Sequence, residues 1–255
     1  MLGLPQPDSC ETSEGVPFLR LEDDATDVTL FLTAIYDSRL FERPPAKTSY
    51  EAVAGILRLS TKYDVQYLRQ RAILHLDTLF PLTLEEFATR NELRTIPPHK
   101  DLVFDASLLA REVDVLWILP QVLYIISNHP VGRILDGFLW NDSVKEMAEV
   151  DRNACIHALK AINTTIPNSL MGCFAVGAID DCQSPTRCPA DRCDWGSLLW
   201  KALSQTSCEV CLNSIRSEYE AMREEFWKNL PEVFGMPELN TLKAMRDAAL
   251  STPVA

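Results

Sequence analysis

Between Asp24 and Leu79 apolar residues recur at helical spacing in three successive runs, each opened by a residue able to cap a helix. A chain patterned this way must bury three amphipathic stripes against one another, because isolated short helices are marginal in water. Asp24 opens the first run, with Asp27 suited to the positive end of the helix dipole, and Val28, Phe31, Leu32, Ile35 and Tyr36 form its stripe. Arg43-Pro44-Pro45 breaks the chain. Thr48 and Glu51 have capping-box spacing for a second helix, whose Val53, Ile56 and Leu57 face inward up to Tyr63. Asp64 is the expected cap of the third, with Val65, Leu68, Ala72, Leu76 and Leu79 on its stripe and Arg69, Gln70 and Arg71 in water. Thr83 and Glu86 form a further capping box for a short helix through about Arg90.

Strand signals are sparse. The first fifteen residues read as loop, and Val16 to Leu21 reads as one short strand that Pro17 confines to an edge or a bulge. Nothing strand-like follows it, so the fold class is α+β, predominantly α. From Asp101 the chain is strongly helical, and Pro120 should kink or divide the apolar run from Val115 to Ile126. Met147 to Ile162 reads as another helix. From about Asn163 to Trp195 the pattern gives way to Pro, Gly, Asp and Cys. A last long helix runs from near Cys208 to Leu230, with Leu212, Ile215, Tyr219, Met222 and Phe226 as a seam of core character, and Pro231 ends it. No period of repeat length recurs.

The formal charge of −12 sets the partners. An acidic surface repels phosphate backbones and anionic lipid heads, and Lys and Arg are scattered, so neither nucleic acid nor membrane is an expected partner. The apolar run from Val115 to Ile126 is far short of the ~20 residues a bilayer requires. The start of the chain lacks the basic and apolar segments of a signal peptide, which leaves cytoplasm or nucleus as the expected compartment and reduced thiols for the 8 cysteines.

The tract Ala34-Ile35-Tyr36-Asp37 and the tract Val53-Ala54-Gly55-Ile56-Leu57-Arg58-Leu59-Ser60-Thr61-Lys62-Tyr63-Asp64-Val65-Gln66-Tyr67-Leu68-Arg69 resemble BTB/POZ domains, most of all the set expanded in mushroom-forming fungi. The resemblance extends loosely to Cys208-Glu209-Val210-Cys211, Phe226-Trp227-Lys228-Asn229-Leu230-Pro231 and Phe234-Gly235-Met236-Pro237. It implies a partial BTB/POZ domain over residues 1–80, followed by a helical region over 81–255 with a Cys-rich irregular segment at about 163–211. A complete domain of the family opens with a strand hairpin and two helices that this sequence lacks, and the family typically dimerises through them; family-like homodimerisation is therefore left open. By resemblance the function is adaptor or scaffold work on other proteins. Cullin-type ubiquitin ligases and transcription factors are both partners within the family, and no residue here selects between them.

Two chemistries compete with that reading. Cys182, Cys188, Cys193, Cys208 and Cys211 lie within thirty residues, and Cys188, Cys193, Cys208 and Cys211 could make a four-thiolate zinc site in a zinc-stabilised binding module. Only Cys208 and Cys211 have standard ligand spacing, and Cys208 is in phase with the seam of the last helix, so small buried hydrophobes explain the same residues. Enzymatic signatures are missing: there is no phosphate loop, no nucleophile elbow and no His-Glu-x-x-His helix. His75 and His157 read as structural or solvent-facing, and neither His99 nor His129 is placed for chemistry. The paired acids Asp23-Asp24, Glu85-Glu86 and Glu224-Glu225 mark helix starts or wet faces. No catalytic, cofactor-binding or metal-ligating residue is assigned, and the chain is read as a non-enzyme without a cofactor.

Overall fold

A computed structural model describes residues 12–13, 16–17, 21–99, 101–140, 142–165 and 209–251. Strand β1 (Thr12–Ser13) pairs antiparallel with β2 (Val16–Pro17). The strand expected over Val16 to Leu21 is thus two residues long among the described residues, and its partner is the adjacent upstream segment that composition marks as loop.

Helix α1 (Ala25–Tyr36) starts as its sequence requires: the Asp24 carboxylate accepts the backbone N–H of Thr26 at 2.8 Å and of Asp27 at 3.0 Å. A 3₁₀ turn (Ser38–Leu40) follows. Helix α2 (Tyr50–Lys62) is capped by Ser49, which accepts the Ala52 N–H at 3.1 Å, and not by Thr48. The backbone N–H of Thr48 is instead committed to the Thr95 carbonyl at 3.1 Å, which fixes it in the loop before the helix. Helix α3 (Gln66–Leu79) has no side-chain cap, because Asp64 adopts the left-handed conformation at φ 57° and belongs to the turn that closes α2. Helix α4 (Leu84–Leu93) carries the expected Thr83–Glu86 pairing, with the Glu86 N–H on Thr83 Oγ1 at 3.2 Å.

Pro120 divides its apolar run as expected. Helix α5 (Leu102–Glu112) is followed by a 3₁₀ turn (Leu116–Ile118) and then α6 (Leu119–Ser127), with Pro120 in the first turn, where a missing N–H costs nothing. The short helix α7 (Val131–Leu135) leads to an antiparallel pair the sequence did not reveal, β3 (Phe138–Trp140) with β4 (Ser143–Lys145). These strands are three residues each, too short for alternation to stand out. Helix α8 (Glu149–Thr165) overlaps the expected Met147 to Ile162, starting two residues later and running three residues further. Helix α9 (Glu209–Val233) passes through Pro231 rather than ending at it, and α10 (Leu239–Ser251) closes the described chain. The fold class is α+β, predominantly α.

Aspartate does the work of glycine at the helix ends. Among the described residues the four with positive φ other than glycine are aspartates: Asp64, Asp101, Asp114 and Asp142. After α2, α5 and α9 the residues Asp64, Asp114 and Gly235 turn left-handed, and the next N–H returns five residues: Val65 to Ser60, Val115 to Ala110 and Met236 to Pro231, each at 2.9 Å.

A single hydrophobic cluster runs from Phe31 in α1 to Leu242 in α10, through Leu57, Leu68, Phe104, Trp117, Ile126 and Trp227. Helix α2 packs between α1 and α3 and also meets α5, while α10 lies against α3. No helix among the described residues is long and apolar enough to cross a membrane.

Two helices turn different faces inward from those their stripes indicate. On α3, Leu68, Ala72 and Leu76 are buried as expected, but Gln70 is buried too, and Arg69 and Arg71 are half-buried. Arg69 donates to the Val113 carbonyl at 3.2 Å and Arg71 to the Phe41 carbonyl at 3.0 Å, so this face ties down loops instead of meeting water. On α1, Phe31 and Ala34 are buried while Leu32, Ile35 and Tyr36 are exposed. The helix docks with its Asp27–Phe31–Ala34 side inward, about 100° away from the centre of the apolar stripe.

Gly55 explains that rotation. A Cβ there would lie 2.5 Å from Asp27 Oδ1 and 3.2 Å from Asp27 Cα, so the two helices meet at a glycine. In an open helix Gly→Ala would gain about 1 kcal/mol from helix propensity. Here Gly55→Ala is expected to lose about 1–3 kcal/mol, as overpacking does, read from urea denaturation; a stabilised variant would contradict the close approach.

Candidate functional site

The outward side of α1 is the largest concentration of exposed apolar side chains on one described element. Leu32, Ile35 and Tyr36 stand 43%, 39% and 87% exposed, and Leu40 in the following turn 64%. Their spacing places them on one face, as anchors for another helix would be placed. What holds this face outward is polar. Asp23 accepts Lys62 Nζ and the Tyr63 hydroxyl, both at 2.6 Å, and these bonds hold its carboxyl below the usual carboxylate range.

Arg58 on α2 is the hub behind α1. Its Nη1 donates to Asp27 Oδ2 at 3.2 Å, its Nε to Glu112 Oε2 at 2.9 Å, and its Nη2 lies 3.7 Å from Asp105 Oδ2. Asp105, on α5, is almost wholly buried and accepts Lys145 Nζ from β4 at 2.7 Å and the Tyr50 hydroxyl at 3.1 Å. Burial, followed by the charge of Asp105, pushes the Tyr50 hydroxyl well above its ordinary range, so it stays a neutral donor. Burial also pushes the Asp27 carboxyl up, against the pull of Arg58. Three carboxylates and two cations from α1, α2, α5 and β4 thus satisfy one another. With Asp105 shut away from solvent and Glu112 at the surface, the cluster ties these elements together.

His75 is a second lock. It is fully buried, with Nε2 2.8 Å from the Glu42 carbonyl and Nδ1 2.7 Å from Thr95 Oγ1. A carbonyl can only accept, so Nε2 carries a proton, and burial favours the neutral ring, in which Nδ1 accepts from the threonine hydroxyl. Burial lowers its pKa. The contact holds the loop before α2 and the loop after α4 against α3. Beside it, Asp77 accepts Arg246 Nε at 2.7 Å and joins α3 to α10. Those two line a cavity of about 310 Å³ together with Arg43, Leu74 and Leu93.

The other residues of chemical interest do not converge. His99 stands edge-on to Trp140 with ring centroids 5.1 Å apart, His129 packs on Phe104 at 5.3 Å, and His157 is exposed on α8. Cys155 is buried, which pushes its thiol up to about 11. Cys182, Cys188, Cys193 and Cys208 lie outside the described residues, as does the side chain of Cys211. No group of three or more His, Cys, Asp or Glu among the described residues is arranged to hold a metal ion. Of the hub residues, Asp27 was read for its place beside a helix start; Arg58, Asp105 and Lys145 carry no local signal of their meeting, because the separations are 47 and 40 residues. Comparison with known proteins gives no match to a family model, a curated protein or a solved structure.

Removing the hub cation leaves Asp27, Glu112 and part of the Asp105 charge unmatched. Arg58→Met is expected to cost about 3 kcal/mol in chemical denaturation. Arg58→Lys should restore only part of it, since a lysine cannot reach three carboxylates with a planar fork. Equal stability of Arg58→Met and the parent chain would remove the hub.

His75 gives a pH dependence of defined sign. Its folded pKa lies below the unfolded value of about 6.5, so the unfolded chain binds more protons as pH falls. Stability is complete above about pH 6.5 and declines below it, by at most about 1.4 kcal/mol per pH unit from this group. Melting temperatures between about pH 7.5 and 5.5 should show that slope, and His75→Gln should flatten it. An unchanged slope in the variant would rule the ring out as its source.

Proposed function

We propose that this chain is a non-catalytic protein–protein interaction module, an adaptor or scaffold of the BTB/POZ kind, and that its outward α1 face engages the partner. The observation that carries the reading is the exposed row Leu32, Ile35, Tyr36 and Leu40 on an element otherwise tied firmly to the domain. A rigid helix that shows its apolar side to solvent incurs a solubility cost that an interface would offset. Aromatic anchors such as Tyr36 dominate the energetics of many interfaces. The charged and titratable groups near α1 support the same reading, because Asp27, Arg58, Asp105, Glu112, Asp23 and Lys62 are spent on one another. The resemblance of residues 34–37 and 53–69 to BTB/POZ domains adds the class of function: recruitment of other proteins.

The test is a photo-crosslinking amino acid at position 36 in cells of the source organism, with position 92 on the exposed side of α4 as control. The reading expects a discrete protein adduct from position 36 that position 92 does not give. Identical adducts from both positions, or none from position 36, would count against it.

A further inference from the structure

The cavity of about 310 Å³ beside Asp77 is enclosed by four separate parts of the chain. The loop before α2 contributes Arg43, α3 contributes Leu74 and Asp77, α4 contributes Glu86 and Leu93, and α10 contributes Arg246. Two prolines, Pro44 and Pro81, extend the apolar wall made by the leucines, and Leu93 stands 55% exposed there. Ligand pockets span roughly 300–1,000 Å³, so an occupant of this one is small. Two guanidinium groups and two carboxylates share the lining. Asp77 and Arg246 are spent on each other at 2.7 Å, and Asp247 takes a second nitrogen of Arg246 at 3.2 Å. The other two are not spent. Among the described residues the Arg43 guanidinium has no hydrogen bond or ion pair, and it is exposed. Glu86 accepts the Thr83 hydroxyl at 2.7 Å and has no cation among the described residues.

We propose that this cavity binds a small zwitterion with an apolar body, an aliphatic amino acid in class, with its carboxylate on Arg43 and its ammonium on Glu86. The site is separate from the α1 face and does not depend on the reading of that face. With one pair of charges already matched, the lining offers a ligand one cation and one carboxylate. A simple anion would meet Arg43 but crowd Glu86, and a simple cation would do the reverse. A purely apolar molecule would strip water from both and replace it with nothing. A molecule that is neutral overall but carries both charges answers each of them, and a guanidinium fork suits a carboxylate in particular. Its aliphatic side chain then lies against Leu74, Leu93 and the two prolines, where the lining is apolar.

The experiment titrates the full chain calorimetrically with four free probes: leucine, glycine, leucinamide and N-acetylleucine. Leucine should bind several-fold tighter than glycine, which lacks the apolar body. Leucinamide has lost the carboxylate and N-acetylleucine the ammonium, and each should bind at least about threefold more weakly than leucine, the scale of one exposed charge pair. Two variants assign the contacts. Arg43→Gln should erase the gap between leucine and leucinamide, and Glu86→Gln the gap between leucine and N-acetylleucine. Both changes spare the fold, because Arg43 holds nothing in place and a glutamine keeps the capping box with Thr83. Matching melting temperatures of the variants and the parent check this.

Equal affinities for leucine and either blocked analogue would overturn the zwitterion. Leucine binding that is unchanged in both variants would place the ligand elsewhere and overturn the site. Absence of saturable leucine binding up to about 10 mM, weaker than any useful affinity for so small a molecule, would overturn the proposal as a whole.

Discussion

Helix α1 is set on the domain by the meeting of Asp27 with Gly55 and Arg58. A helix with the stripe Val28, Phe31, Leu32, Ile35 and Tyr36 would maximise apolar burial by turning that stripe inward. It does not, because the carboxylate of Asp27 has to reach Arg58 across the one position of α2 without a Cβ. Burying an unpaired carboxylate costs more than leaving two or three aliphatic side chains part-exposed, so the ion pair wins the rotation. The apolar face on the outside is the consequence.

The same hub couples elements far apart in sequence. Arg58 faces Asp105 on α5, Asp105 receives Lys145 from β4, and Tyr50 closes the space between them. The small β3–β4 pair, which could not stand alone in water, gains a fixed place this way, with Phe138 and Trp140 in the core on its inner side. On the far side of α3, His75 and Asp77 play the corresponding part, one for the loops, one for α10. Among the described residues one core beneath these locks includes residues from both sides of position 80, so the stretch before that position and the helical stretch after it share their apolar interior.

Much of this was legible in the sequence, and the limits have physical causes. Where one residue decides a local event, the reading held: Asp24 capped α1, Thr83 with Glu86 opened α4, and Pro120 divided its apolar run. Where two candidates lay side by side the decision went to the tertiary context, as when Thr95 engaged the backbone of Thr48 and left Ser49 to cap α2. Asp64 has the side chain of an N-cap and the left-handed tolerance of a C-terminal turn, and sequence does not say which use prevails. Periodicity found the apolar stripe of α1 but not the direction it faces, since that depends on Arg58 and Gly55 in the next helix. The outward face was therefore present in the pattern and assigned to the core. The hub itself could not be read at all: its members are ordinary charged residues until the fold brings them together.

Helix α1 is fastened by polar contacts with its greasy side out. Hydroxyl-radical footprinting of the purified, monodisperse chain measures that orientation directly, because Phe31 and Tyr36 are neighbours on one helix with opposite exposures, 5% and 87%. The account expects Tyr36, with Leu32 and Leu40, to be modified at rates close to those of an unfolded control and Phe31 to be strongly protected. Protection of Tyr36 together with rapid modification of Phe31 would show α1 packed the other way round, and the docking face would go with it.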